Sequence, residues 1–441
     1  ARTNSNCGHN HSFLMRDPTL RCIYQSKYIT CNNPHALKGE RRYHDDDDDD
    51  SEPEYLEPVT HTADKMRAAV RDYVAENSRQ FGDSDSEVKS GVVADKKIMD
   101  QHHAKTLNQC PPPPIKLVGI LATTTPHPIS SESCENKYIN DTHGNERYSE
   151  QIATSCSSDG IIYEPWRVPP TRDALERAIH HANERLDVHG ILVFYPVDKL
   201  TKAETTGRTY KCQENGVYYR SMDDYFRDLV ACHKDVEGYC RKGLRIQKPE
   251  NEDDVMDNGD SAHIVKAGEL GPIYPCTALA VYKIVETFHH SSDCVSSSDG
   301  SNKQFENITI TIINRSEVLG LPLATMLSNQ GATIYSINID SILQFLPNGK
   351  VRREHATTTI EQCVRNSSVI VSGVPSQSFK VPTDWIPENA TVINVATESN
   401  FEEDTLHEEA PSVTYVPHVG RVTVAALEYN LMSLHKNYHS K

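Results

Sequence analysis

Residues 307–322 read NITITIINRSEVLGLP, from Asn307 to Pro322. The opening Asn307–Ile313 is dominated by β-branched side chains, which predicts a buried strand. A polar turn follows at Asn314, Arg315 and Ser316. Pro322 suits the first turn of a helix, where its missing N–H costs nothing. Leu323, Met326 and Leu327 then share one helical face, and Gly331 ends it. Ala332–Ile339 is a second strand. A strand–turn–helix–strand unit of this kind belongs to a Rossmann-type lobe, whose helix N-terminus can hold a pyrophosphate through backbone N–H groups and its dipole. Asp340 lies 20 residues beyond Gly320, roughly where a ribose-binding acid is expected. The G-x-G-x-x-G pattern is absent. From the residues alone, a nucleotide-binding lobe and a structural α/β lobe with an ordinary turn both remain open.

Upstream, the same alternation recurs. Thr62 can cap a helix in which Met66, Ala69, Val70, Tyr73 and Val74 fall at helical spacing, ending near Gly82. Ile115–Leu121 reads as a buried strand, Tyr148–Ser157 as a helix, Ile161–Tyr163 as a strand and Thr171–Leu186 as a helix capped by Thr171. Ile191–Tyr195 is the next buried strand, stopped by Pro196; Met222–Cys232 and Thr277–His289 are helical. Strands alternating with helices predict parallel sheets in two α/β lobes. Polar stretches at 83–110, 123–146 and 247–268 read as insertions, and 291–302 as a serine-rich loop.

The composition fits a chain that packs only in part. Of 441 residues, 37% are apolar, against roughly 45–50% in an average soluble domain, a figure that also counts Gly. The net charge is −17, which disfavours a general nucleic-acid binder. Residues 1–60 carry Asp45–Asp50 and read as a solvated acidic tail rather than a calcium site. That tail holds 7 basic and 11 acidic residues, so most of the negative charge lies elsewhere. No apolar run reaches the ~18–20 residues needed to cross a bilayer. Ala1–Asn10 has no signal-peptide core, and the first residue is Ala1 rather than Met, which leaves room for a targeting segment before it. The twelve cysteines are scattered, with no C-x-x-C and no zinc spacing. They predict free thiols in a reducing, cytoplasmic setting, with no metal site.

Five segments, taken in order, resemble the methylenetetrahydrofolate dehydrogenase/cyclohydrolase family. They are KDVEG at Lys234–Gly238, PCT at Pro275–Thr277, NRSEVLGLP at 314–322, SGVP at Ser372–Pro375 and VPHVGRVT at Val416–Thr423. Together with FYPV at 194–197, they look closest to the monofunctional, NAD-dependent members. The resemblance implies two α/β lobes around a cleft, the second a Rossmann-type dinucleotide-binding domain, with a C-terminal helix returning to the first lobe. On this basis 1–60 is the tail, 61–270 the folate lobe, 271–422 the NAD lobe and 423–441 the returning helix. It also implies a tetrahydrofolate substrate, NAD as cofactor and a homodimer, with no nucleic-acid or membrane partner.

Bifunctional members of the family carry a Tyr and, four residues later, a Lys that assists hydrolysis of the methenyl product. Counting back from Gly160-Ile161 places the Tyr at Tyr148 and puts Ile152 at the Lys position. An isoleucine can neither donate nor accept a proton, so dehydrogenase without efficient cyclohydrolase is expected. The resemblance assigns Tyr148 to the folate ring, and Tyr195, Pro196 and Pro275 to the substrate site. Where the family has Gln-Leu at the strand end, this chain has Phe194-Tyr195. Glu237 faces the pterin's amino and amide edge, where a carboxylate can accept two N–H bonds. Cys276, grouped with Tyr148 as a catalytic candidate, lies beside the cleft in PCT, as a thiol that tunes the site or an inert buried one; no general base is assigned to it. Asn314, Arg315, Ser316 and Gly320 are expected around the pyrophosphate and ribose. Gly373 and Pro375 are expected along the adenosine or nicotinamide side, and Gly420 and Thr423 at the nicotinamide end. Asp340 favours NAD by repelling a 2′-phosphate, whereas Arg315 could pair with one. A bifunctional enzyme and an idle folate/dinucleotide-binding protein are the competing expectations.

Overall fold

The computed structural model describes residues 57–79, 114–123, 136–197, 210–211, 218–219, 221–239, 246–247, 264–265, 273–289, 303–347, 349–354 and 357–440. The acidic run, the 83–110 segment, most of 247–268 and the serine-rich 291–302 lie outside them.

The first lobe is built on β1 (Lys116–Ala122), flanked in parallel by β2 (Ile162–Val168) and β3 (Gly190–Val193) in the order β2-β1-β3. The period of two explains why β1 is apolar from Leu117 onward. Leu117 and Leu121 enter one core and Val118 and Ile120 the other. Helices α1 (Glu57–Arg79) and α2 (Asn136–Ser158) supply Val70, Ile152 and Cys156 to the first core. Helices α3 (Arg172–Glu184) and α4 (Met222–Leu229) supply Leu175, Ile179 and Phe226 to the second. Thr171 caps α3 as expected, its Oγ1 accepting from the Ala174 N–H at 3.4 Å. β2 runs five residues past the expected Tyr163 and contains Pro165. It is an edge strand, where a missing N–H is tolerated.

Three expectations need correction here. Thr62 does not cap α1, which already starts at Glu57; its Oγ1 donates back to Pro58 O at 2.8 Å inside the helix. α2 begins at Asn136, so the segment read as an insertion to Glu146 is helical over its second half. Its polar composition hid this, because a helix once nucleated over Tyr148–Cys156 propagates cheaply into residues of modest propensity. α4 ends at Leu229, three residues before the expected Cys232.

The second lobe opens with α5 (Cys276–Phe288), then β4 (Thr309–Ile313), α6 (Gly320–Asn329) and β5 (Thr333–Asn338). Its later elements are β6 (Ser341–Phe345), β7 (Val351–Arg353), α7 (Ile360–Arg365), β8 (Val369–Ser372), β9 (Thr391–Asn394), α8 (Glu403–Glu409) and β10 (Thr414–Val416). The sheet order is β7-β6-β5-β4-β8-β9-β10. The run β5-β4-β8-β9-β10 is parallel and follows Rossmann order, with the direction of strand addition reversing between β4 and β8. β6 and β7 are antiparallel; a hairpin stands where a third crossover strand would, and the alternation upstream gave no sign of it. Gly331 ends α6 at φ +102°, in the left-handed region that glycine enters without a Cβ penalty.

The last helix, α9 (Gly420–Leu434), runs into a π-helical turn over His435–His439. It leaves the second sheet and packs on the first lobe. Asn430 Nδ2 donates to Val236 O at 2.9 Å and to Tyr274 O at 2.8 Å, so one buried amide ties α9 to two connections. Glu428 of α9 is fully buried 3.7 Å from Arg67 Nε, and Arg67 itself pairs with Asp159 at 2.8 Å. Burial first, then the adjacent Asp159, push the Glu428 carboxyl up to about 8. At the far end, His189, His435 and His439 cluster, with His189 and His435 ring centroids 4.7 Å apart.

Candidate active site

On the substrate side, β3 delivers Phe194, Tyr195 and Pro196 at its C-terminal end, with the Tyr195–Pro196 peptide cis. Phe194 and Tyr195 are buried. Tyr148, half-buried on α2, meets Phe194 edge to face at 6.0 Å. Ile152, one turn further along α2, is 0% exposed within the apolar core. The position four residues after Tyr148 is therefore occupied by packed hydrocarbon.

The KDVEG turn is held by its own residues. Lys234 Nζ donates to Ala182 O, Asn183 O and Arg185 O at 3.1, 2.8 and 2.6 Å, capping the carbonyl end of α3. Asp235 Oδ1 accepts the Glu237 and Gly238 N–H groups at 3.2 and 3.1 Å, an Asx-type turn. Gly238 sits at φ +70°, and a Cβ there would lie 2.8 Å from the Tyr274 backbone. The turn fixes Glu237, which is 8% exposed. Burial pushes its carboxyl well above the usual range and Asp235 adds to this; Arg227 and the Val193 N–H oppose it. Pro275 and Cys276 adjoin the turn. The Cys276 N–H donates to Glu237 O at 3.3 Å, and its buried thiol points at Val236 O, 3.4 Å away. That contact is one a packed thiol makes, and nothing in it prepares the sulfur as a nucleophile.

On the nucleotide side, the reversal between β4 and β8 is spanned by Asn314, whose Nδ2 donates to Gly373 O at 2.7 Å from a backbone at φ +90°. Ser316 Oγ accepts the Leu319 and Gly320 N–H groups at 3.2 and 3.4 Å, and Ser316 O accepts that of Leu321 at 2.9 Å. These donors at the start of α6, expected for a pyrophosphate, are thus already engaged by Ser316. Gly320 permits the tight turn: a Cβ there would lie 2.2 Å from Asn314 O. Arg315 clamps the β5–β6 hairpin. Its Nη2 donates to Ser336 O and Ser341 O at 2.7 and 2.9 Å, and its Nε and Nη1 reach the two serine hydroxyls at 3.1 Å. Asp340 stands in the hairpin turn at the end of β5. Gly420 opens α9 with free space where a Cβ would be, and Thr423 Oγ1 bonds back to Val419 O at 3.0 Å. Pro375 follows Gly373 in the loop after β8.

Three buried side chains that organise these segments escaped the sequence. Asn400 accepts from Ser372 Oγ and the Val374 N–H at 2.8 Å and donates to Val374 O at 2.9 Å. Asn394 accepts the Asn400 N–H and donates to Ala396 O and Pro417 O. Together they order the loops after β8, β9 and β10, where the ligand of such a sheet sits. Arg227, on the helix α4, is buried against Tyr195. No spacing marks isolated asparagines or a single arginine, so nothing short of the fold would have found them.

Comparison with known proteins agrees with this geometry. The family model for the tetrahydrofolate dehydrogenase/cyclohydrolase NAD(P)-binding domain matches residues 275–439. The methylenetetrahydrofolate dehydrogenase (NAD+) of Dictyostelium discoideum is 33% identical over 300 residues, covering 67% of this chain and 83% of the relative. The enzyme of the same name from Saccharomyces cerevisiae is 31% identical over 299 residues, covering 66% and 82%. The solved structure of the NAD-dependent 5,10-methylenetetrahydrofolate dehydrogenase from Saccharomyces cerevisiae superposes with a TM-score of 0.56 at 25% identity, over 86% of this chain and 96% of that one.

Proposed function

The chain belongs to the tetrahydrofolate dehydrogenase/cyclohydrolase family, and we propose that it oxidises 5,10-methylenetetrahydrofolate to the methenyl form with NAD, without efficient hydrolysis of that product. The observation that carries the second half is Ile152, wholly buried one turn past Tyr148. Hydrolysis needs water attack and proton transfer beside the reacting carbon, and a packed isoleucine offers neither. The dehydrogenase step asks for less, because the folate nitrogens stabilise the cation left when hydride departs.

Bound NAD supplies the hydride acceptor. The protein's task is to place the folate carbon against it and exclude water. Tyr148, set by Phe194, lies along the pterin. Glu237, held by the Asp235 turn, accepts the N–H groups of the pterin edge. Tyr195, Pro196 and Pro275 complete the substrate wall, with Cys276 packed behind it. On the cofactor side, Asn314, Ser316, Gly320, Gly373, Pro375, Gly420 and Thr423 border the dinucleotide. The residues present fit such a group, because Gly420 leaves open space at the start of α9 where a Cβ would stand, while Gly320 permits the tight turn that precedes α6. Asp340 is placed to accept from ribose hydroxyls. Arg315 is committed to Ser336 and Ser341, which supports NAD over NADP.

The assignments 61–270 as folate lobe, 271–422 as NAD lobe and 423–441 as returning helix are supported by the passage of α9 between the two. No helix among the described residues is long and apolar enough to cross a membrane. A homodimer is proposed on the family's habit, and sedimentation would test it. The function itself is tested by following NAD and NADP reduction in parallel with methylenetetrahydrofolate as substrate. Binding of NAD without reduction would instead favour an idle binding protein.

A further inference from the structure

Helix α9 joins two regions that the proposed reaction must hold at a fixed separation. Its first turn, at Gly420 and Thr423, is the part assigned above to the nicotinamide end. Ten residues on from Gly420, about 15 Å along the helix at ~1.5 Å per residue, stands Asn430, 1% exposed. Its Nδ2 carries two hydrogens, and both are used. One reaches Val236 O at 2.9 Å and the other Tyr274 O at 2.8 Å. Those carbonyls belong to different segments. Val236 precedes Glu237 in the folate turn, and Tyr274 precedes Pro275 at the entry to α5. The two segments also grip each other: the Cys276 N–H donates to Glu237 O at 3.3 Å, and Gly238 lies too close to the Tyr274 backbone for a Cβ. Leu431, next along α9, packs beside Val236. A Cβ on Gly190 at the start of β3 would lie 2.5 Å from Val236 Cγ1 and 2.6 Å from Leu431 Cδ1, so strand, turn and helix are in close contact.

We propose that Asn430 is a positioning residue for hydride transfer, whose amide locks the Glu237 turn and the Pro275 segment to the helix that carries the nicotinamide end. The inference rests on the folate and NAD reading given above. In that reaction the methylene C–H bond breaks, its electron pair leaves with the hydrogen for the nicotinamide ring, and the cation remains on the folate nitrogens. The folate is oxidised by two electrons and NAD is reduced by two, with no further reactant. The rate depends on the approach of two carbons held by different lobes, and a misplacement of about 1 Å costs on the order of 10²-fold. Asn430 acts on that approach only through the segments it holds. An apolar residue of similar size would leave both carbonyls without their amide donor, and the segments would shift to find another.

The test is single-turnover hydride transfer by Asn430→Leu, with the dissociation constants of NAD alone and methylenetetrahydrofolate alone measured beside it. The transfer rate should fall about 10- to 100-fold while both constants stay within about threefold. With deuterium on the methylene carbon, the variant's kcat should carry the full isotope effect of its single-turnover rate. A transfer rate unchanged within about twofold, or a loss confined to either dissociation constant, would overturn the proposal, because the residue would then only pack or shape a binding surface. A second measurement needs no variant. In wild-type protein, saturating NAD should slow hydrogen exchange at the Glu237, Gly238 and Cys276 amides about tenfold or more, because the turn cannot open without loosening the helix that NAD holds. Unchanged exchange there would overturn the proposal even if Asn430→Leu failed to fold. Absence of folate-dependent NAD reduction by the wild type would sink the proposed function instead; a wild type that reduces NAD beside a variant that transfers hydride as fast would sink this role alone.

Discussion

Replacing Ile152 by lysine tests whether the position after Tyr148 can be returned to the bifunctional form. Ile152 is 0% exposed, so the substitution removes its hydrophobic burial, about 1.5–3 kcal/mol. It also asks an ammonium to enter the core. Full burial would depress a lysine by up to about 3–5 pK units, roughly 4–7 kcal/mol at 1.36 kcal/mol per unit. The sum would approach the whole stability of a domain. The side chain has an escape, since Tyr148 one turn away is only half-buried, and a long stem can carry its charge that way. With that relief the expected cost is about 3 kcal/mol. Ile152→Ala should cost a comparable 2–5 kcal/mol through its cavity. The assay is urea unfolding of both variants beside the wild type. At an m-value of roughly 3 kcal/mol/M, the midpoint should fall by about 1 M. An Ile152→Lys protein as stable as wild type would show that position 152 does not sit in the core, and the argument from its burial would collapse.

Gly320→Ala brings a Cβ to 2.2 Å from Asn314 O, a backbone atom that cannot swing aside. Overpacking of this kind costs about 1–3 kcal/mol, so NAD should bind about 5- to 150-fold more weakly by fluorescence titration, while unaltered affinity would remove the turn from the cofactor site. His189 and His435 are both held down to about 4, chiefly by burial. An unfolded histidine takes its proton near 6.5, so their contribution is full above about pH 6.5 and is lost as pH falls toward 4. His189→Asn should therefore lose less stability than wild type between pH 7 and 4.5, and equal losses would refute the assignment. Glu428 runs the other way: a carboxyl raised to about 8 contributes below about pH 4.5, and that contribution disappears as pH rises through 8. Glu428→Gln should match wild type near pH 5 and exceed it near pH 9 by thermal unfolding; a variant less stable at both would contradict this.

Much of the architecture was legible because it is written in period. Strands β1, β3, β4 and β5 are short apolar runs, and the helices between them carry apolar faces at helical spacing. The NRSEVLGLP turn marked the junction from strand to helix, and Gly320 and Gly331 are glycines for steric reasons visible in the structure. What did not show was whatever lacks a period. The first half of α2 is polar, and the β6–β7 hairpin falls where a crossover was the default. Arg315, expected at a phosphate, is drawn instead to the Ser336 and Ser341 carbonyls, a destination set by a hairpin that the sequence did not announce. Asn394, Asn400 and Asn430 are buried because each satisfies several backbone groups at once, which only the assembled chain reveals. The Asp235 turn and the burial of Ile152 likewise emerged from tertiary packing around residues already singled out.

The central claim joins an active dehydrogenase to an absent hydrolysis, and one progress curve addresses both. Purified protein is given methylenetetrahydrofolate and NAD, and the methenyl product is followed by its absorbance after the NAD is consumed. The account predicts rapid appearance of the product, then decay no faster than in an enzyme-free control. Decay that accelerates in proportion to enzyme concentration would contradict it.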